Sequence, residues 1–324
     1  MPRHAHYKPG LAWFAALGSA WVFVLVALGA FTTSIGAGMA FPDWPLSNGS
    51  VNPHGWLTEL DKFAEHSHRL SAVMMSTVTI ILAVWLWRAE ARAWLRKLAY
   101  FAVGLVLTQA VVGGLRVLLD RMHVEMVDTS VGRMFAMLHA VLAQAFVCTL
   151  FAIALACSRS WIEHRAGLHG APADGLRRLG RWCVGLLFAQ LAIAAIVRHS
   201  FAGLAISTFP MSTPDGALLP AAWDFRVLIH FAHRAMAAVI GVAVLAYAWR
   251  LLREAAIAPF LRGSGVLLVS LICLQIAFGA QIIWTGRSVV MTTGHVIVGA
   301  LTLATTFLVT FALHRERVES APSS

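Results

Sequence analysis

The chain has 324 residues, 59% of them hydrophobic and 12% charged, and the apolar residues gather in blocks of roughly 20 separated by charged stretches. That composition excludes an ordinary soluble domain and describes a chain built for a lipid bilayer. The formal net charge of +10 suggests nucleic acid, but the basic residues alternate from loop to loop as in a membrane protein, so no nucleic-acid partner is needed to explain them.

A crossing helix needs about 20 apolar residues, with its backbone polar groups satisfied internally. The first block, 11–31, follows a short basic start and exceeds the roughly 7 to 15 residues of a secretory h-region, so it reads as a crossing helix. No Arg- and Ser-rich transit segment precedes it, which points to a bacterial chain. Further crossings are predicted at 67–87, 97–118, 134–157, 178–197, 227–249, 264–284 and 290–313. The fold class is therefore an all-α membrane protein of eight transmembrane helices with both termini on one side. Of the 25 Lys and Arg residues, 16 fall on that side, which predicts a multi-pass protein of the bacterial inner membrane with cytoplasmic termini. Trp13, Trp85, Trp87 and Trp284 stand at block ends and fit an interfacial belt. Cys148, Cys157, Cys183 and Cys273 lie within apolar blocks without a Cys-x-x-Cys spacing, which argues against covalent c-type haem and a thiolate zinc site.

The second half repeats the first. At an offset of 165, Ala37-Gly38-Met39-Ala40 falls on Ala202-Gly203-Leu204-Ala205, Trp44-Pro45-Leu46 on Phe209-Pro210-Met211, and His68-Arg69 on His233-Arg234. At 166, Gln109 and Gly113 fall on Gln275 and Gly279; His139 and His295 take similar early places in the fourth and eighth crossings at an offset of 156. Four crossings per half give both halves the same orientation, so two pseudo-symmetric four-helix bundles are expected: 1–160 with a substrate site, a cytoplasmic linker at 161–175, and 176–324 with a cofactor site.

Ionisable groups inside crossings are costly and usually functional. His68, His139, His233 and His295 share one depth zone, and two facing histidines inside a bundle form a bis-imidazole axial site for haem iron. A lone membrane histidine is more often a hydrogen-bonded packing residue; four at matched positions reverse that preference. A copper or iron centre without haem fits two separated pairs poorly. Gly113 and Gly279 either let a flat macrocycle approach or simply allow close helix packing. Arg69 and Arg234 either pair with haem propionates or snorkel to the interface. Glu65 falls on His230 at the 165 offset, so only one half carries a carboxylate there. Glu65 shares a helical face with His68, where it can move protons; the plainer reading is a helix-start carboxylate favoured by the dipole. His66 lies about 200° around the helix from His68 and is expected to face elsewhere.

The string Gly36-Ala-Gly-Met-Ala-Phe-Pro-Asp-Trp-Pro45, followed by Glu65-His-Ser-His68-Arg69 and one later His per bundle, resembles haem A synthase across nearly the whole chain. The resemblance implies a membrane oxidoreductase that converts the C8 methyl of haem O to a formyl group through a hydroxymethyl intermediate, for haem-copper oxidase biogenesis. It implies His233 and His295 as haem b ligands, His68 and His139 as contacts to the substrate iron, and Glu65 as the catalytic carboxylate. A haem O synthase and an unidentified electron donor are the expected partners, and self-association is left open. Many relatives carry a cysteine pair in the first outer loop, where this chain has Phe41 and Ser47. The loop must then be held by Pro42, Pro45 and packing. Two rivals remain: a di-haem cytochrome b that leaves its haems unaltered, and a two-repeat transporter with a histidine proton relay.

Overall fold

The computed structural model describes residues 6–125, 129–163, 172–254 and 257–320. Helices α1 (Pro9–Ser34), α2 (Leu60–Ala89), α3 (Ala93–Leu118) and α4 (Val131–Cys157) are followed by the short α5 (Arg159–Ile162). Helices α6 (Pro172–His199), α7 (Phe225–Arg253), α8 (Pro259–Trp284), α9 (Val289–Leu313) and the short α10 (Arg315–Glu319) complete the chain. Two-residue strands β1 (His123–Val124) and β2 (Thr129–Ser130) pair antiparallel before α4, and one 3-10 turn spans Ala202–Leu204. Eight helices are long and apolar enough to cross a membrane, which makes this an all-α, multi-pass membrane protein.

Several helices outrun the apolar blocks that foretell them. Helix α2 starts at Leu60 rather than 67, because Leu60-Asp-Lys-Phe-Ala-Glu-His is helical yet too polar to register as hydrocarbon-spanning. Asp61, not Glu65, is the acid of its first turn, so the helix-start reading of Glu65 gives way. Helix α6 likewise begins at Pro172 rather than 178. Of the expected linker 161–175, residues 164–171 lie outside the described residues.

Helices α1 to α4 touch in sequence and close through α1 against α4; α6 to α9 do the same through α6 against α9. The two groups meet where α1 touches α9 and where α4 touches α6 and α9. The apolar cores lie toward the end that carries the termini. One is built on Leu82, Leu86, Leu95, Leu150 and Ile153, the other on Val244, Tyr247, Leu251, Leu268 and Leu313. The distal half of each group is left to the histidines.

At the terminal end, α10 acts as a clasp. Glu319 accepts from Trp161 Nε1 at 2.5 Å and from Arg92 at 3.1 Å, while Arg315 Nε donates to the Trp161 carbonyl at 2.6 Å. Arg177 Nε donates to the Leu313 carbonyl at 2.6 Å. These bonds tie α3, α5 and α6 to the end of α9. The four cysteines are free.

Candidate functional site

The distal loop 35–59 is fixed to α2 by one arginine. Arg69 Nε donates to Glu65 Oε1 at 3.2 Å, one Nη to the Asp43 and Leu46 carbonyls at 2.8 and 2.6 Å, and the other to the Phe41 carbonyl at 3.3 Å and Glu65 Oε1 at 2.5 Å. All five N–H donors of a guanidinium are thereby engaged. Glu65 Oε2 accepts the Phe41 amide at 3.2 Å. Asp43 closes the loop from inside, accepting the Asn48 and Gly49 amides at 2.7 and 2.8 Å. Burial pushes its carboxyl upward, but those amides outweigh it and hold the group below the usual carboxylate range.

The second half repeats this lock residue for residue at the 165 offset. His230 Nδ1 accepts the Ile206 amide at 3.2 Å, as Glu65 accepts that of Phe41. Arg234 donates to the Ile206, Thr208 and Met211 carbonyls at 3.1, 2.7 and 3.5 Å, and its Nε lies 3.3 Å from His230 Nε2. Trp44–Pro45 and Phe209–Pro210 are both cis. The position that differs between the halves therefore has one architectural role in both, filled by a carboxylate in one and an imidazole in the other.

His66 faces the loop, with its Nδ1 3.1 Å from Ser47 Oγ and its ring between Trp56 and Phe41, at centroid distances of 4.8 and 6.0 Å. Phe41 and Ser47 are 0% and 1% exposed, so packing and this contact hold the loop where a cysteine pair is lacking.

Three of the four matched histidines, His68, His139 and His295, lie against glycines. A Cβ at Gly29 of α1 would stand 2.9 Å from His68 Cε1; at Gly113 and Gly279 it would stand 3.2 and 3.3 Å from Cε1 of His139 and His295. The Trp44 ring covers Gly114, where a Cβ would meet it at 2.5 Å. These glycines let rings approach a helix backbone as side chains would not.

His233 and His295 have ring centroids 6.4 Å apart. An imidazole nitrogen binds a metal at about 2 Å, so two rings on opposite sides of one iron have centres about 6 Å apart. His295 Nδ1 meets the Gln275 carbonyl at 3.1 Å, which puts the ring proton on Nδ1 and makes Nε2 the acceptor, met here by the Gln275 side-chain Nε2 at 3.2 Å. Gln190 of α6 approaches His233 Nδ1 at 3.0 Å. The same Gln190 Nε2 donates to the His233 carbonyl at 3.0 Å, so one amide holds both the backbone and the ring of His233.

The first half differs. His68 Nδ1 and His139 Nδ1 are buried without a hydrogen-bond partner, and Gln109 Nε2 goes to the His139 carbonyl at 3.0 Å rather than to its ring. Gln190 is the residue sequence reading missed: at the 165 offset it falls on Leu25, so the repeat that picks out the histidines hides it.

The chain is similar to known proteins along most of its length. The family model described as cytochrome oxidase assembly protein matches residues 12–307. The chain is 26% identical over 312 residues to a protein named heme A synthase from Geobacillus kaustophilus, covering 95% of this chain and 93% of that one. It is 25% identical to heme A synthase from Halalkalibacterium halodurans, covering 94% and 97% of the two chains. A heme A synthase from Methylorubrum populi matches at 26% identity over 80% of this chain and 75% of its own. With a match across nearly its whole length, the chain belongs to the cytochrome oxidase assembly protein family.

Proposed function

We propose that this chain is a haem A synthase, oxidising the C8 methyl of haem O to a formyl group through a hydroxymethyl intermediate. The reading rests on relatives that carry that name and on the geometry of the four histidines. The two helix groups serve as pseudo-symmetric bundles, 1–160 for substrate and 176–324 for a resident haem b. The termini are cytoplasmic, as the distribution of basic residues indicates.

One observation carries the division of labour. The Nδ1 atoms of His233 and His295 each have a protein group at hydrogen-bond distance, whereas the backbone carbonyls of Leu25 and Gln109 approach His68 and His139 without closing a hydrogen bond. Such outer partners orient a histidine ligand and strengthen its bond to metal, which suits a haem that stays. A substrate that must arrive and leave as a different molecule is better served by ligands held less firmly. The residues of α7 and α9 fit a haem: paired rings at the right separation, a glycine seat under His295 and unpartnered amide oxygens on Gln190 and Gln275. Haem b bound there supplies one-electron chemistry.

In the first bundle, His68 and His139 hold the substrate iron. Glu65, a turn before His68, accepts or delivers protons as the methyl group is oxidised. Trp44 and the locked loop cover the distal end and keep water from the reacting edge. A haem O synthase delivers the insoluble substrate, and an electron donor supplies the electrons that the stepwise oxidation consumes with dioxygen as the oxidant.

The chain purified from a host without haem O should carry one haem b. His233→Ala should lose it and His68→Ala should keep it. Full haem b content in His233→Ala, or its loss in His68→Ala, would overturn this assignment.

A further inference from the structure

Where the two helix groups meet at the distal end, the chain gathers cations without counter-ions. Arg198 and His199 occupy the last turn of α6. Arg198 lies within electrostatic reach of Arg116 and Arg287, and His199 within reach of Arg116, Arg198, Arg133 and His139. Among the described residues, no ion pair joins Arg116, Arg133, Arg198 or Arg287 to a carboxylate. The two carboxylates nearest in effect to Arg116 are Glu65 and Asp120. Glu65 is paired with Arg69, and Asp120 accepts from Ser130 Oγ at 2.8 Å.

Arg198 uses one Nη, donating to the Ala30 carbonyl at 2.9 Å and to Ser34 Oγ at 3.0 Å on α1; its Nε and other Nη have no partner among the described residues. Arg116 uses one Nη, for the Gly38 carbonyl at 2.7 Å. Both lie within electrostatic range of the histidines, Arg198 of His295 and Arg116 of His68 and His139. Thr293, two residues before His295, also reaches Ser34 Oγ at 3.2 Å. The carbonyl end of α6 offsets part of the charge on its own last turn, but it cannot also neutralise the three guanidiniums that other segments bring. Partly buried, unpaired charge of this density calls for an anion.

We propose that this seam binds the propionate carboxylates of the macrocycles, Arg198 serving the haem held by His233 and His295, and Arg116 the haem held by His68 and His139. The proposal rests on the haem reading above and moves the carboxylate contact from Arg69, whose donors are spent on the loop, to guanidiniums that still have donors to give. It also places both haems' charges in one shared field between the bundles, so that occupancy of one site is felt at the other.

The test uses the full chain in detergent, made haem-free in a haem-deficient host, and titrated with haem b and with haem b dimethyl ester, which lacks the two carboxylates. The wild type should bind haem b at least about tenfold more tightly than the diester, as charge-assisted hydrogen bonds require. Arg198→Gln should lose most of that preference by weakening haem b and leaving the diester unchanged; Arg198→Lys, which keeps the cation and guards against misfolding, should retain much of it. Equal affinity of the wild type for both probes overturns the proposal. So does a variant weakened equally toward both, the result expected if a lipid phosphate fills the seam. A wild type that binds neither probe overturns the haem reading itself.

Discussion

Glu65 and His230 occupy one architectural position in the two halves: each accepts a loop amide, from Phe41 and Ile206 respectively, and each lies within 3.3 Å of the Nε of an arginine one turn later. The carboxylate of the first half thus combines a chemical opportunity with a structural duty, and substitutions must separate the two.

Glu65→Gln can still accept the Phe41 amide and should keep the loop closed and haem b bound while product formation stops. Glu65→Ala also strands Arg69, and breaking a buried pair of this kind should lower stability by about 3 kcal/mol or more. Thermal unfolding in detergent beside haem analysis tests this: equal stability of the two variants would show that the pair does not hold the loop.

Gln190→Leu installs in the second half the residue found at the matching place in the first, Leu25. Loss of an outer partner of a metal-bound histidine should weaken haem b retention by roughly tenfold or more. The rate of haem transfer to an apo-globin acceptor measures it, and an unchanged rate would remove Gln190 from the site.

Gly29→Ala puts a methyl group 2.9 Å from His68 Cε1, too close for His68 to stay. The variant should hold haem b normally and fail to hold haem O, read as the haem O to haem b ratio in extracts of the purified protein. An unaltered ratio would exclude the Gly29 seat.

Glu90 accepts from Arg92 N and Nε at 2.9 Å and from its Nη at 3.0 Å. Burial pushes its carboxyl up, but the Arg92 hydrogen bonds outweigh this and hold it below the ordinary value of 4.5. A depressed folded pKa stabilises above the unfolded value and is lost as pH falls through the folded one. Melting temperature should therefore drop as the buffer is taken below pH 4.5, and Glu90→Gln should flatten that drop. Parallel wild-type and variant profiles would contradict it.

The eight crossings were legible in the sequence because hydrocarbon imposes a length on apolar runs, and the 165-residue repeat brought His68 and His233 forward together. Helix starts were not, because the first turns of α2 and α6 are polar and stand outside any apolar window. The repeat reveals only what both halves share, so Gln190 stayed hidden behind Leu25. The Glu319 clasp and the Arg198 seam join residues far apart in the chain and leave no local pattern. Arg69 shows the converse: a motif drew attention to it as a ligand for haem, while three loop carbonyls and Glu65 take its donors.

The most direct measurement is mass analysis of haems extracted after expressing this chain beside a haem O synthase in a host that makes no haem A. The account predicts haem A or its hydroxymethyl precursor. Haem b accompanied only by unconverted haem O, with reductant and oxygen supplied, would contradict it.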